Sequence, residues 1–504
     1  MLLIFPPIAK ACEPPAGVAR LAAALKSHGI PCRLLDANLE GQLWLLEQMP
    51  TVNDTWTRRA FTGCAANLAA LRDAESYRTP DRYRRCVSDL NRLLAVSSLQ
   101  HTAAVSLSDY QHTTLSPLRS TDLIAAAKEP EQNPFYPYFS RRLPELLDES
   151  GRVGISLNYL SQALSAFAMI GHIRKKFPDQ EIILGGGVVT SWMQRPGWNN
   201  PFGSLLDHLI SGEGELPLLA LSGSEATADN HFTPDYSALP LREYLSPGLI
   251  LPYSAAGGCW WNRCSFCPER AEGNSYRPIA TKRALAELKL LTEQSGPALI
   301  HLLDNAISPS LLRGLADDPP GAPWYGFARF DEQLADPDFC RALKHSGCVM
   351  LKLGLESGDQ GVLESMSKGI ELGVASKVLL NLQRAGIAVY CYLLFGTPAE
   401  TEVSARRTLE FVTRHSSTIS FLNLAIFNMP LCGDEAIEYG TKPFYDGDLS
   451  LYTAFRHPDG WDRKKVRRFL EYEFKRHPAI AAIIKNDPPQ FTSNHAPFFC
   501  GKGL

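Results

Sequence analysis

Three cysteines within nine residues, Cys259-Trp-Trp-Asn-Arg-Cys264-Ser-Phe-Cys267, are the side chains of this sequence best suited to do chemistry. Thiolates this close on one loop can converge on a point, which suits a soft metal ion or an iron–sulfur cluster. No fourth cysteine joins them, since the next ones along the chain are Cys86 upstream and Cys340 downstream. A structural zinc site wants a fourth Cys or His nearby, and His231 and His301 are both remote in sequence. Three unreactive core thiols at this spacing would be a coincidence. A four-iron cluster held by three thiolates keeps one iron open, and an open iron makes the loop a chemical site.

The loop needs a rigid support. Leu249 to Tyr253 reads as a strand, and Gly257-Gly258 lead from it into the cysteines. Five more apolar runs follow: 298–303, 323–327, 349–353, 387–394 and 419–427. They alternate with helical patterns or loops, and most end in polar or glycine residues. That alternation is the pattern of a parallel α/β barrel whose site is built at the strands' carboxyl ends. Six units predict a partial barrel with a side opening.

The first half reads as a doubly wound sheet. Leu2-Leu3-Ile4-Phe5 is a buried strand, residues 16–28 have helical periodicity, and Cys32 to Leu35 is the next strand. Asp36-Ala-Asn38-Leu-Glu-Gly41 is expected as a loop at that strand's carboxyl end. Residues 42–135 read as an insertion, helical over 44–49, 57–72 and 81–94, with a strand at 103–107. The sheet resumes at Val153-Gly-Ile-Ser156, continues in Glu181-Ile-Ile-Leu184, and ends in Gly185-Gly186-Gly187 and Gly212-Glu213-Gly214-Glu215. Consecutive glycines are expected to let a bulky ligand approach the backbone.

Composition is that of an ordinary folded chain. It has 504 residues, 45% hydrophobic, and a net charge of −3, which gives no reason to expect nucleic acid or a membrane as partner. No apolar run reaches the length of a membrane span, and Leu2 to Phe5 is too short for a signal peptide core. Twelve cysteines without a disulfide-like spacing suit a reducing, cytoplasmic setting.

Several of these motifs carry a family resemblance. Glu13-Pro14-Pro15-Ala16-Gly17, the Gly185-Gly186 strand end and the Gly212-Glu213-Gly214-Glu215 turn resemble the cobalamin-binding domain fused upstream of many radical S-adenosylmethionine (SAM) enzymes. Asp36-x-Asn38-x-x-Gly41 stands where related corrinoid proteins carry Asp-x-His-x-x-Gly, so the resemblance implies cobalamin without a histidine ligand. It also implies cobalamin contacts at Asp36, Asn38, Ser156, Gly185, Gly186, Gly212 and Glu213. The cysteine loop is similar to the radical SAM signature, with Phe266 as its aromatic, although the first gap is four residues (260–263) rather than three. Across the barrel half the resemblance places Asp304 at the methionyl amino group, and Arg329, Glu356 and Ser357 around the carboxylate and ribose. It places Gly396 in a Gly-x-Pro-x-Glu-Thr turn and Phe427 beside the adenine. For Arg329 or Glu356 alone, a salt bridge within the barrel is an equally good reading.

The expected class is therefore α/β. A Rossmann-like, doubly wound cobalamin-binding domain is expected at 1–228, a linker at 229–248, a partial (β/α)6 radical SAM barrel at 249–440 and a small extension at 441–504. The extension holds a basic amphipathic helix at 461–477 and an aromatic tail. The tail either folds over the barrel mouth, which would bring Cys500 toward the cluster, or simply packs.

The cofactors implied are a [4Fe-4S] cluster, SAM and cobalamin. The activity implied is that of class B radical SAM methyltransferases: methylation of an unactivated carbon through a 5′-deoxyadenosyl radical and methylcobalamin. A small-molecule or peptide substrate and an electron donor such as flavodoxin or ferredoxin would be the partners. Cyclisation, rearrangement or oxidation with the same cofactors, and a non-catalytic corrinoid-binding regulator, are the alternatives.

Overall fold

Alternating strands and helices should lay parallel sheets edge to edge, and two such sheets are present in the computed structural model. It describes residues 1–50, 52, 54–147, 151–224, 231–443, 445–488 and 495–499. One compact unit comprises Met1–Ile250 with Tyr445–Leu451; the other begins at Leu251 and includes Tyr452–Pro488. The expected boundary at 228–229 and the Cys500 thiol lie outside the described residues.

The first unit holds a five-stranded parallel sheet in the order Arg33–Asp36, Leu2–Phe5, Arg152–Ser156, Glu181–Gly185, His208–Leu209. The order reverses beside Leu2–Phe5. In doubly wound sheets such a switch point opens a crevice at the carboxyl ends of the two strands that flank it. Leu3, Ala22, Leu25, Ile183 and Leu219 form a core between the sheet and its helices.

Three local expectations change here. Residues 36–41 are not a loop: Ala37–Glu47 is helical, and Asp36 caps it by accepting the Leu39 N–H at 2.9 Å. The helix expected over 57–72 divides at Gly63 into Thr55–Thr62 and Cys64–Leu71. The strand expected at 103–107 is Ala103–Val105, and among the described residues it pairs only with Tyr110–His112 in an antiparallel hairpin outside the main sheet.

The second unit holds six strands in sequence order: Ile250–Tyr253, Leu299–Leu302, Trp324–Ala328, Cys348–Glu356, Ala388–Phe395 and Phe421–Ile426. Successive pairs from Leu299–Leu302 onward are parallel. Helices such as Thr281–Ser295, Leu372–Ala385 and Glu402–Arg414 carry the chain back between strands. Among the described residues the first and last strands do not pair, so the barrel is partial and open.

Beyond the sheet, Met429–Pro430, Tyr452–Phe455 and Thr441–Pro443 make a small antiparallel sheet that the sequence pattern does not announce. The basic helix starts at Arg463, and its second half is a π turn, Leu470–Phe474. The His495 ring lies 4.4 Å from Tyr390 and 4.5 Å from Phe421, both near the amino ends of their strands.

The glycine run has a local explanation. Gly186 has φ +108°, and a Cβ there would lie 2.4 Å from the Leu157 carbonyl oxygen. The chain's own backbone therefore excludes a side chain at this position, with no ligand needed to account for it. Gly186→Ala is expected to lower stability by about 2 kcal/mol or more, read as a shift of the urea midpoint at unchanged slope.

Candidate active site

The cysteine loop leaves the carboxyl end of Ile250–Tyr253. Ala256–Gly257 pair antiparallel with Arg277–Pro278, which ties the base of the loop. Neighbouring strand ends then hold it. Past Leu299–Leu302, Asp304 Oδ2 accepts the Ala255 N–H at 3.2 Å, and the Asn305 amide donates to the Gly258 carbonyl at 3.3 Å. Past Cys348–Glu356, the Met366 carbonyl accepts the Ser265 N–H at 3.0 Å. The Ser367 carbonyl accepts the Trp261 indole N–H at 3.1 Å.

Cys264 is buried, and Cys259 and Cys267 are half-buried. Burial raises the Cys267 pKa, and Cys264 and Cys259 raise it further, against two backbone N–H bonds that lower it. Both other cysteines of the loop thus act on the Cys267 thiol. Among the described residues, no three His, Cys, Asp or Glu side chains are gathered closely enough to hold a single metal ion.

Around the thiols the charges are buried and mostly paired. Arg329, 7% exposed, points Nη1 at Cys264 Sγ (3.9 Å) and donates from Nη2 to the Lys368 carbonyl. Burial lowers its pKa, and the nearby Cys264 is the largest influence acting the other way. Glu356 has φ +66°, in the left-handed region that a non-glycine residue avoids, at an irregularity in its strand. Its carboxylate meets Lys368 at 2.8 Å, and the same ammonium lies 5.5 Å from the Phe266 ring centroid. Asp304 is buried, and desolvation pushes its pKa up to about 6 against backbone N–H bonds that lower it. The Ser357 hydroxyl lies 3.2 Å from Thr408 Oγ1 and accepts the Asp359 N–H, fastening the strand end to the helix Glu402–Arg414.

Gly396 and Phe427 line a separate, small cleft of about 60 Å³ with Asn428, Phe455, Trp461 and Arg463. Behind the cleft Glu400 is fully buried, and its Oε2 accepts the Gly396 N–H and the Trp461 indole N–H. Glu400 Oε1 has no hydrogen-bond partner among the described residues.

In the first unit the motif residues are placed unevenly. Asn38 Oδ1 accepts the Ala9 N–H at 2.7 Å and the Gln42 amide at 2.8 Å. Asp36 Oδ2 accepts the Tyr244 hydroxyl at 2.7 Å, and burial pushes its pKa up to about 6. Both face inward. Ser156 accepts the Asn158 amide at 3.0 Å at its strand's end. Gly185 is partly accessible at the end of the next strand. Gly212 donates its N–H to Thr190 Oγ1 at 2.9 Å, and Glu213 pairs with Arg20 at 3.6 Å.

The structure thus draws the three cysteines, Phe266, Arg329 and Glu356 into one linked group, with Asp304 joined through Ala255. Ser357 is bonded elsewhere, and Gly396 and Phe427 form their own cleft. Sequence reasoning missed Lys368, the tryptophans as partners of Arg329, and the bond from Trp461 to Glu400. The aromatic density of the cysteine loop was the available signal for the tryptophans. Lys368 and Trp461 stand on irregular segments where periodicity says nothing.

No protein-family model matches the chain. An uncharacterized methyltransferase of Pyrococcus horikoshii is 24% identical over 239 residues, 42% of this chain and 50% of that protein. The bacteriochlorophyllide d C-12(1)-methyltransferase of Chlorobaculum tepidum is 28% identical over 193 residues, 36% of this chain and 41% of that protein. The chain therefore spans half or less of the length of these curated relatives.

Among solved structures, the radical SAM methyltransferase TsrM of Kitasatospora setae, with cobalamin and a [4Fe-4S] cluster bound, superposes with a TM-score of 0.52. That match is 15% identical and covers 87% of this chain and 77% of TsrM. TsrM with tryptophan substrate and the SAM analogue aza-SAM gives 0.52, 15%, 88% and 79%. The chain has the fold of TsrM.

Glu400 offers a test of the cleft's electrostatics. Burial raises its pKa from 4.5 to about 7, so the folded chain holds this proton more tightly than the unfolded one. Its contribution to stability is complete below pH 4.5 and is lost as pH rises through about 7. Glu400→Gln should therefore flatten the decline of the melting temperature across that window. An unchanged decline in the variant would show that another group sets it.

Proposed function

We propose that this chain is a cobalamin-dependent radical SAM methyltransferase that places a methyl group on an unactivated carbon of a small-molecule or peptide substrate. The observation that carries the reading is the three-cysteine loop braced at the carboxyl ends of an open parallel sheet, in a chain with the fold of TsrM. The residues present fit a four-iron cluster. They offer three thiols, a guanidinium directed at one of them, and a buried Trp260 indole N–H with no partner among the described residues. They fit a corrinoid at the carboxyl edge of the first unit's sheet, where the strand order reverses and the backbone at Gly187 is exposed.

Cys259, Cys264 and Cys267 would hold the cluster. Ser156, Gly185, Gly212 and Glu213 line the corrinoid edge, while Asp36, Asn38 and Gly186 shape it from behind. When bound, the cluster with SAM supplies a 5′-deoxyadenosyl radical and the corrinoid a transferable methyl group. Asp304 receives the methionyl ammonium group of SAM; a carboxyl with a pKa near 6 ionises readily beside a cation. Glu356 and Lys368, paired at 2.8 Å, would serve the ribose and carboxylate of SAM. Phe427, beside the turn at Gly396, would contact the adenine from the wall of its small cleft. A one-electron donor protein of the flavodoxin or ferredoxin class supplies the reducing equivalent.

Anaerobic reconstitution with iron, sulfide, cobalamin and SAM tests the reading. The chain is expected to take up a four-iron cluster and to release 5′-deoxyadenosine; with substrate it should also release S-adenosylhomocysteine. Cys264→Ala should lose both the iron and SAM cleavage. Absence of iron in the wild type, or full cleavage by the variant, would sink the proposal. 5′-Deoxyadenosine without S-adenosylhomocysteine would replace methylation by a rearrangement or oxidation.

A further inference from the structure

The gap between Cys259 and Cys264 is one residue longer than the signature it resembles, and the structure shows where the extra length goes. Trp260 and Trp261 meet edge to face, with ring centroids 6.0 Å apart and planes at 83°. The Arg329 guanidinium carbon lies 4.3 Å from the Trp261 ring centroid and 5.7 Å from that of Trp260. Trp261 is fixed from both sides. Its N–H is bonded to the Ser367 carbonyl, and its six-membered ring lies so close to Gly369 that a Cβ there would fall 2.1 Å from Cζ2. Asn262, at φ +42°, turns the chain back toward Cys264.

We propose that the longer loop builds an electrostatic brace on the Cys264 side of the cluster, in which Trp260 and Trp261 hold the Arg329 guanidinium against the Cys264 thiolate and raise the cluster's reduction potential. This rests on the cluster assignment made above. A guanidinium suits the task because its charge is permanent and its donors lie in one plane, leaving its faces free to stack on indoles. Reduction brings one electron from the donor protein to the cluster, with no proton or bond exchanged, and adds one negative charge. A cation buried beside a ligand sulfur favours that reduced state, as do hydrogen bonds to sulfur. The unpartnered Trp260 N–H is a second donor available to a cluster sulfur. Arg329 is in this view a positioning and tuning residue of the cluster rather than a clamp on the SAM carboxylate.

The test is an EPR-monitored redox titration of reconstituted full-length protein, with iron content measured on each sample. At the wild-type midpoint, Arg329→Gln is expected to lower the ratio of reduced to oxidised cluster about tenfold, which for one electron is about 59 mV more negative. Arg329→Lys keeps the charge but not the planar fork and should shift it less. Trp260→Phe keeps the ring but not the N–H and should shift it in the same direction as Arg329→Gln. SAM affinity for the oxidised cluster should stay at the wild-type value in all three. An Arg329→Gln protein with full iron and an unchanged midpoint overturns the proposal, as does a loss of SAM affinity at an unchanged midpoint. If Arg329→Gln fails to load iron, Trp260→Phe decides in the same way. A wild type that takes up no iron overturns the cluster assignment itself, a result distinct from an unshifted midpoint.

Discussion

Strands that run parallel all end on the same edge of their sheet, and the candidate site depends on that geometric constraint. Each strand of the second unit must be followed by a return crossover, so each delivers a polar turn to the same edge. Residues far apart in sequence meet there because of it: Ala255 with Asp304, Ser265 with Met366, and Cys264 with Arg329. The cysteine loop has no regular structure of its own beyond the short pairing at its base and one helical turn after Cys267. Its shape is imposed by neighbours that the sheet order has already lined up.

The same edge concentrates charge in places that water does not reach. A lone buried ion is strongly disfavoured, and the structure answers with partners. Lys368 answers Glu356, and the same lysine packs over Phe266 on the cysteine loop. Arg329 is covered by indoles and directed at a thiol. Asp304 has backbone N–H groups as partners, and its raised pKa reflects how incompletely these offset burial. The left-handed backbone at Glu356 belongs to this picture: local strain of this kind persists where the surroundings over-determine a position.

Much of this was legible in the sequence, for physical reasons. Apolar runs bounded by glycine and polar residues marked most strands of both sheets, because a strand buried on both faces must be apolar throughout. The cysteines announced themselves by type and spacing. Asp36 to Gly41 misled because an Asp followed by Asn and Gly reads equally as a turn or as a cap. The outcome was decided by buried bonds to Ala9, Gln42 and Tyr244 that no local pattern reveals. Likewise the tail's aromatic residues signalled packing but not which end of the strands they would meet. The bond from Trp461 to Glu400 joins segments with no shared periodicity.

The contact between Trp261 and Gly369 carries a consequence for how such a chain can diverge. A side chain at 369 and the indole at 261 compete for the same space, and φ at Gly369 is +65°, which independently disfavours any other residue. Neither position can drift alone: enlarging 369 evicts the indole, and shrinking 261 leaves a hollow under Arg329. The two should therefore behave as a single heritable unit, together with the loop length between the first two cysteines. A chain with the shorter three-residue gap would be free of that coupling, and only its backbone conformation would then decide which residue stands where this one keeps its glycine.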